Sequence, residues 1–180
     1  MAEQAASSAG DASKVRAAYA DPPYIGQAAR HYNSEEVDHV ALLERLAGEY
    51  EAWALSASAP SLSVLIPLLP PGTRTGIWVK PFASWKPNVY PSYAWEPVIF
   101  FGGRKRKPPH VVRDWVSANI TLQKGLSGVK PREFCWWVFD MLGLEPDDIL
   151  DDLFPGSGTV GRAWTAYQDH RRVAQMTLAL

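Results

Sequence analysis

Apolar positions along the chain fall into two kinds of segment, short continuous runs and one-sided periodic stretches. Val15-Arg16-Ala17-Ala18-Tyr19-Ala20 is a short, mostly apolar run that stops at Asp21-Pro22-Pro23. Neither proline offers a ladder donor, so a strand followed by an exposed turn is expected. Ser34-Glu35-Glu36-Val37 supplies a candidate N-cap and acids for a first helical turn. Val37, Val40, Ala41, Leu43, Leu46 and Ala47 then recur near helical spacing, the mark of a one-sided helix. Glu51 to Ser56 reads as a strand, Leu62 to Leu69 as a short helix ended by Pro70-Pro71-Gly72, and Thr75 to Lys80 again as a strand. Alternation of this kind predicts an α/β domain with mostly parallel pairing.

The second half is less regular. Phe82 to Tyr93 interleaves Pro87, Asn88 and Pro91 with Trp85, Tyr90 and Tyr93, an aromatic loop. Trp95 to Phe101 has strand composition, Gly102 to Pro109 is a basic, breaker-rich connection, and Val111 to Val116 is a short strand candidate. Pro131 opens a helix over Arg132 to Leu142 that Gly143 ends. A strand over Asp148 to Phe154 runs into Pro155-Gly156-Ser157-Gly158-Thr159, and a helix restarts at Val160 and continues to Gln168. No internal repeat is present. Residues 1–13, rich in Ala, Ser and Gly, read as a flexible tail, and 14–180 as one domain.

Composition narrows the classes. The 180 residues carry 18 Lys+Arg against 19 Asp+Glu, and 47% are hydrophobic. That supports a sizeable core, and any contact with nucleic acid has to come from a local basic patch. The single cysteine, Cys135, excludes an internal disulfide and a cysteine-cluster zinc site, which points to a reduced, cytoplasmic setting. Cys135 sits between Phe134 and Trp136 in an apolar helix and reads as a core thiol. Met1 to Ser13 lacks the pattern of a secretory signal, and the longest apolar stretch is too short to span a bilayer, so no membrane role is expected. The four histidines have no metal-ligand spacing, and no metal is predicted.

Two turns carry candidate chemistry. Gly156 and Gly158, between a strand and a helix, let backbone approach a ligand closely beside unpaired helix N–H groups, or else make a tight structural turn. The segment has neither a Walker lysine nor the three-glycine dinucleotide fingerprint. Asp21-Pro22-Pro23-Tyr24 places a carboxylate, a rigid carbonyl and an aromatic face after another strand. Such a group receives hydrogen bonds from an exocyclic amine while the ring stacks on its base, or else is a stiff solvated turn.

Together the two motifs resemble the amino-group DNA methyltransferases that use S-adenosylmethionine. Asp21-Pro22-Pro23-Tyr24 is similar to their catalytic motif and Asp152-Leu153-Phe154-Pro155-Gly156-Ser157-Gly158-Thr159 to their cofactor motif, in the order of the permuted beta class. Lys130-Pro131 with its following helix, Trp78-Val79-Lys80 and Trp95-Glu96-Pro97-Val98-Ile99 resemble further parts of that class, and the likeness covers about residues 15 to 168. It implies a three-layer, Rossmann-like, circularly permuted fold and methyl transfer to adenine N6 in DNA. On that resemblance Asp21 and the Pro22 carbonyl accept from the amino group, Pro23 stiffens the turn and Tyr24 stacks on the flipped base. Lys130, Phe134, Asp152, Phe154, Gly156, Ser157, Gly158 and Thr159 hold the cofactor.

Family members continue into a second strand ending in a ribose-binding acid. The given residues stop at Leu180, and Asp169 falls in the predicted helix. The stretch from Phe82 to Gly128 is too short for a separate target-recognition domain, so specificity is expected from loops or a partner subunit, with single-stranded or loosely paired DNA preferred. Arg104-Lys105-Arg106-Lys107 is the candidate phosphate contact, or else a solvated charge run. Two other readings stay open: a non-catalytic nucleic-acid-binding or subunit-type relative, and an RNA adenosine methyltransferase, whose members usually carry tryptophan where Tyr24 stands.

Overall fold

The computed structural model describes residues 13–26, 36–82, 89–105, 111–120 and 129–178. In chain order the elements are β1 (Arg16–Ala20), α1 (His39–Glu49), β2 (Ala52–Ser56), α2 (Leu62–Leu65, prolonged by a 3-10 turn, Ile66–Leu68), β3 (Arg74–Val79), β4 (Trp95–Gly102), β5 (Trp115–Ser117), α3 (Arg132–Met141), β6 (Ile149–Asp152) and α4 (Thr159–Leu178). The strands form one sheet in the order β5-β3-β4-β2-β1-β6. β1 pairs in parallel with β2 and β6, and β3 with β5, while β4 runs antiparallel between β2 and β3. The sheet is mostly parallel, as expected. The exception is β4, which lies antiparallel to both of its neighbours.

β1 shows why the strands read as continuous apolar runs. Ala17 and Tyr19 face one side, where α3 and α4 supply Phe134, Trp137, Phe139, Val160, Trp164 and Tyr167. Ala18 and Ala20 face the other, where α1 and α2 supply Leu42, Leu43, Leu46 and Leu65. A strand covered on both faces has no polar side to show. Three layers result, with small alanines in β1 letting the bulky helix residues approach. Helix α1 starts at Asp38, whose Oδ1 accepts from the amides of Val40 at 2.9 Å and Ala41 at 3.0 Å. The expected cap, Ser34, lies outside the described residues.

Two boundaries depart from the sequence reading. β5 covers Trp115–Ser117 rather than Val111–Val116, because pairing with β3 begins where the Ile77 amide donates to the Asp114 carbonyl at 2.9 Å. Helix α4 continues ten residues past Gln168. Its second half is held by polar contacts, not by an apolar stripe. Gln168 Nε2 donates to the Pro146 carbonyl at 2.7 Å, Arg171 pairs with Glu145 at 3.4 Å and Arg172 with Asp147 at 3.3 Å.

The amino-terminal edge of the sheet is locked by one buried carboxylate. Asp148, just before β6, accepts from the amides of Val15 at 2.8 Å and Glu145 at 2.7 Å. Both its oxygens also receive the Arg104 guanidinium, which donates in addition to the Ser13 carbonyl at 2.9 Å. Arg104, the first residue of the expected phosphate contact, follows β4 on the edge opposite the carboxyl ends of the parallel strands and ties three chain segments together. Burial pushes the Asp148 carboxyl up, but the guanidinium and the two N–H donors outweigh it and hold it below the ordinary range. Its contribution to stability is therefore present at neutral pH and lost as pH falls through that lowered value. Asp148→Ala is expected to cost about 3 kcal/mol in urea unfolding at pH 7, with Arg104→Ala adding less than its own single-variant cost. Additive losses would refute the lock.

Candidate active site at the carboxyl edge of the sheet

The two motifs meet. β1 and β6 are parallel neighbours with Ala18 opposite Asp151 and Tyr19 opposite Asp152, and the Leu153 amide donates to the Tyr19 carbonyl at 2.9 Å. Asp21-Pro22-Pro23-Tyr24 and the glycine loop therefore leave the same edge side by side. β1 leads on to β2 on one side while β6 lies on the other, the kind of strand-order break where open α/β sheets place their clefts.

On the first turn, Asp21 is part-buried and ion-paired. Lys130 Nζ lies 3.1 Å from Asp21 Oδ1 and 3.6 Å from Glu96 Oε2, and its side chain is 6% exposed. The same ammonium lies over the rings of Trp78 and Phe134, at 5.4 and 5.7 Å from their centroids. Glu96 comes from β4, whose antiparallel course brings its first residues to this edge, and it also pairs with Lys80 at the end of β3. Tyr24, on the Asp21 turn, also acts on the Glu96 carboxyl and helps to hold it down. Burial raises the Asp21 carboxyl above its ordinary range, with Lys130 opposing and Glu96 adding. For Glu96 burial also pushes upward, but Lys130 and Lys80 outweigh it and the carboxyl is lowered. Behind them the Tyr19 hydroxyl and Ser56 Oγ share a buried hydrogen bond of 2.7 Å.

On the second turn, Asp152 ends β6 and accepts from the Phe154 amide at 3.3 Å. Its carboxyl is raised by burial, with Asp21 adding to the shift. Gly156 and Gly158 take φ of +45° and +71°, in the left-handed region that glycine enters at little cost. A Cβ on Gly156 would meet only the Phe154 carbonyl at 3.9 Å, so the loop presents open backbone. Ser157 Oγ and Thr159 Oγ1 lie 2.7 Å apart, and Arg162, one turn into α4, donates to the Ser157 carbonyl at 3.0 Å and to Thr159 Oγ1 at 3.2 Å. Phe154 is part-buried against the α1 side of the sheet.

Asp21, Pro22, Pro23, Tyr24, Asp152, Phe154, Gly156, Ser157, Gly158 and Thr159 thus share one edge, and Lys130 joins Asp21 rather than the glycine loop. Phe134 does not line the cleft. It is buried between Tyr19, Trp78 and Trp137. Lys105 is on the opposite edge with Arg104, and Arg106 and Lys107 lie outside the described residues. Cys135 is buried, which pushes its thiol up to about 12. Asp169 lies on α4, exposed beside Arg172. Sequence reading missed Glu96, Lys80 and Arg162. The available signal for Glu96 was a lone acid inside an otherwise apolar strand.

These features define a Rossmann-like α/β fold with its cleft at the carboxyl edge. No protein-family model matches the chain, and no curated protein does. Among solved structures, the crystal structure of the M1.HpyAVI-SAM complex is 21% identical, covering 86% of this chain and 79% of that one with a TM-score of 0.57. The crystal structure of M1.HpyAVI is 18% identical, covering 86% and 77% with a TM-score of 0.58. At these identities the likeness is one of fold, and the chain has the Rossmann-like methyltransferase fold. Among the described residues no helix is long and apolar enough to cross a membrane.

Replacing Lys130 by Met would leave two carboxylates facing each other without their shared cation. The expected cost is about 3 kcal/mol at pH 7. Asp21 and Glu96 would then both titrate higher when folded than when unfolded, a contribution lost as pH rises. The gap between wild type and variant in chemical unfolding should therefore narrow from pH 7 to pH 5. A gap that widens would contradict the pairing.

Proposed function

We propose that the protein transfers a methyl group from S-adenosylmethionine to the exocyclic N6 amino group of adenine in DNA. The observation that carries the reading is the register of β1 on β6, which sets the Asp21-Pro22-Pro23-Tyr24 turn beside the glycine loop. The fold shared with a protein crystallised as its SAM complex supports it.

The loop's own features fit the cofactor. Gly156 leaves backbone open to a flat ligand, the first turn of α4 offers N–H groups, and the half-buried Asp152 carboxylate suits a methionine ammonium. Bound there, S-adenosylmethionine supplies a methyl group made electrophilic by its sulfonium. The Asp21 carboxylate and the Pro22 carbonyl accept from the two N–H bonds of the adenine amine and hold its lone pair toward that loop. Partial burial raises the Asp21 carboxyl's affinity for a proton, and its ion pair with Lys130 holds the acceptor in place. Tyr24, on the same turn as Asp21, offers its ring to the base plane. A ring-carbon cytosine mechanism is disfavoured, since the thiol of Cys135 is buried in the core.

With Arg104 occupied elsewhere, the rim of the cleft offers another contact. Tyr90 and Tyr93 are 78% and 54% exposed on the connection between Lys80 and Trp95, at the same edge as Asp21. Exposed aromatic faces stack on unpaired bases whatever their sequence. This favours single-stranded or loosely paired DNA, because extruding a base from a duplex costs a few kcal/mol, with sequence specificity coming from a partner subunit.

The test is transfer of labelled methyl to adenine-containing oligonucleotides, with the product identified by mass spectrometry. Expected are N6-methyladenine, faster transfer to single strands than to duplex, and a loss of at least about 100-fold in Asp21→Ala. Full activity in that variant would remove Asp21 from the chemistry. No S-adenosylmethionine binding at millimolar concentration would favour a non-catalytic nucleic-acid-binding protein, and transfer to RNA alone an RNA adenosine methyltransferase.

A further inference from the structure

One ammonium serves two carboxylates in the cleft. Lys130 Nζ stands 3.1 Å from Asp21 Oδ1 and 3.6 Å from Glu96 Oε2, buried where water cannot share the work. Glu96 is better supplied than Asp21, since it holds Lys80 through its other oxygen. Two cations and two carboxylates make the cluster neutral, and Glu96 is the member that pairs with both cations. The arrangement matters because the Asp21 carboxylate has to accept from an arriving amino group. An ammonium seated wholly on Asp21 would occupy the acceptor and neutralise its charge. A second carboxylate within reach gives that ammonium another place to go.

We infer that Glu96 is a positioning residue of this site: it draws the Lys130 ammonium off Asp21, so that the acceptor is open when the base arrives. The inference rests on the function proposed above for its meaning in turnover, but the sharing of Lys130 is a property of the protein alone. Asp21 is faced by Lys130 ahead of α3, Glu96 on β4 and Lys80 just after β3, and its charge also acts on Asp152 of β6 and Tyr19 of β1. Loss of the Glu96 charge would both remove a like charge from Asp21 and leave Lys130 with Asp21 as its one carboxylate partner of the two.

The experiment has two arms. In the ligand-free protein, the side-chain carboxyl of Asp21 is titrated by carbon NMR and assigned with Asp21→Asn. Glu96→Gln should move its midpoint to lower pH and Lys130→Gln to higher pH, whereas a merely loosened site would lower it in both variants as burial is lost. In the turnover arm, Glu96→Gln should reduce kcat by about 10- to 100-fold with S-adenosylmethionine affinity, by calorimetry, within about twofold, and Glu96→Asp should recover part of the loss. An Asp21 midpoint that stays put or rises in Glu96→Gln overturns the inference, as does the expected midpoint shift with kcat unchanged. Absence of methyl transfer in the wild-type protein would overturn the proposed function, and the titration arm would then decide on its own whether Glu96 holds Lys130 away from Asp21.

Discussion

The pairing of β1 with β6 is the constraint on which the rest depends. The two strands are 128 residues or more apart in the chain, yet four consecutive residue pairs from Arg16 with Ile149 to Tyr19 with Asp152 place their carboxyl ends together. β1 is buried on both faces, so a slip by one residue would exchange Tyr19 with Ala18 or Ala20 and drive a large ring into the α1 layer. The core therefore fixes the register, and the register fixes where Asp21 and Gly156 emerge. A cleft between two loops is inherited from side chains that never reach it.

Opposite edges of the sheet use charge in opposite ways. At the amino edge Asp148 is saturated by a guanidinium and two backbone amides, an arrangement with no acceptor left over and a purely structural outcome. At the carboxyl edge Asp21, Glu96, Lys130 and Lys80 alternate in sign with contacts of 3.1 and 3.6 Å around Lys130, and the carboxyl of Asp21 remains raised. A saturated carboxylate resists change, whereas a shared ammonium can redistribute at little cost. The same residue types give a lock on one side and a responsive site on the other because of the number of donors each carboxylate receives.

Most of the fold was legible because its strands are short, apolar and bounded by proline or glycine, and the two turns were legible because Asp-Pro-Pro-Tyr and the paired glycines each follow a strand. What escaped depended on long-range polar contact. Arg104 looked like the head of a phosphate-binding run, and nothing local reveals that Asp148, 44 residues later, claims it. Phe134 looked like a cofactor contact, and nothing local reveals that it packs among Tyr19, Trp78 and Trp137 in the core. The C-terminal half of α4 was missed because Arg171, Arg172 and Gln168 hold it to the Glu145–Asp147 turn without any apolar period. Glu96 was visible as an acid in a strand, yet its role needed the antiparallel direction of β4, which brings its first residues to the carboxyl edge.

The most direct test of the central claim is amide chemical-shift mapping during titration with S-adenosylmethionine, followed by an adenine-containing single strand. The account predicts that the first ligand moves the amides of Asp152, Gly156, Gly158 and Thr159, and that the second then moves those of Asp21 and Tyr24. Shifts confined to the edge that carries Arg104 and Lys105, or none at either turn, would contradict it.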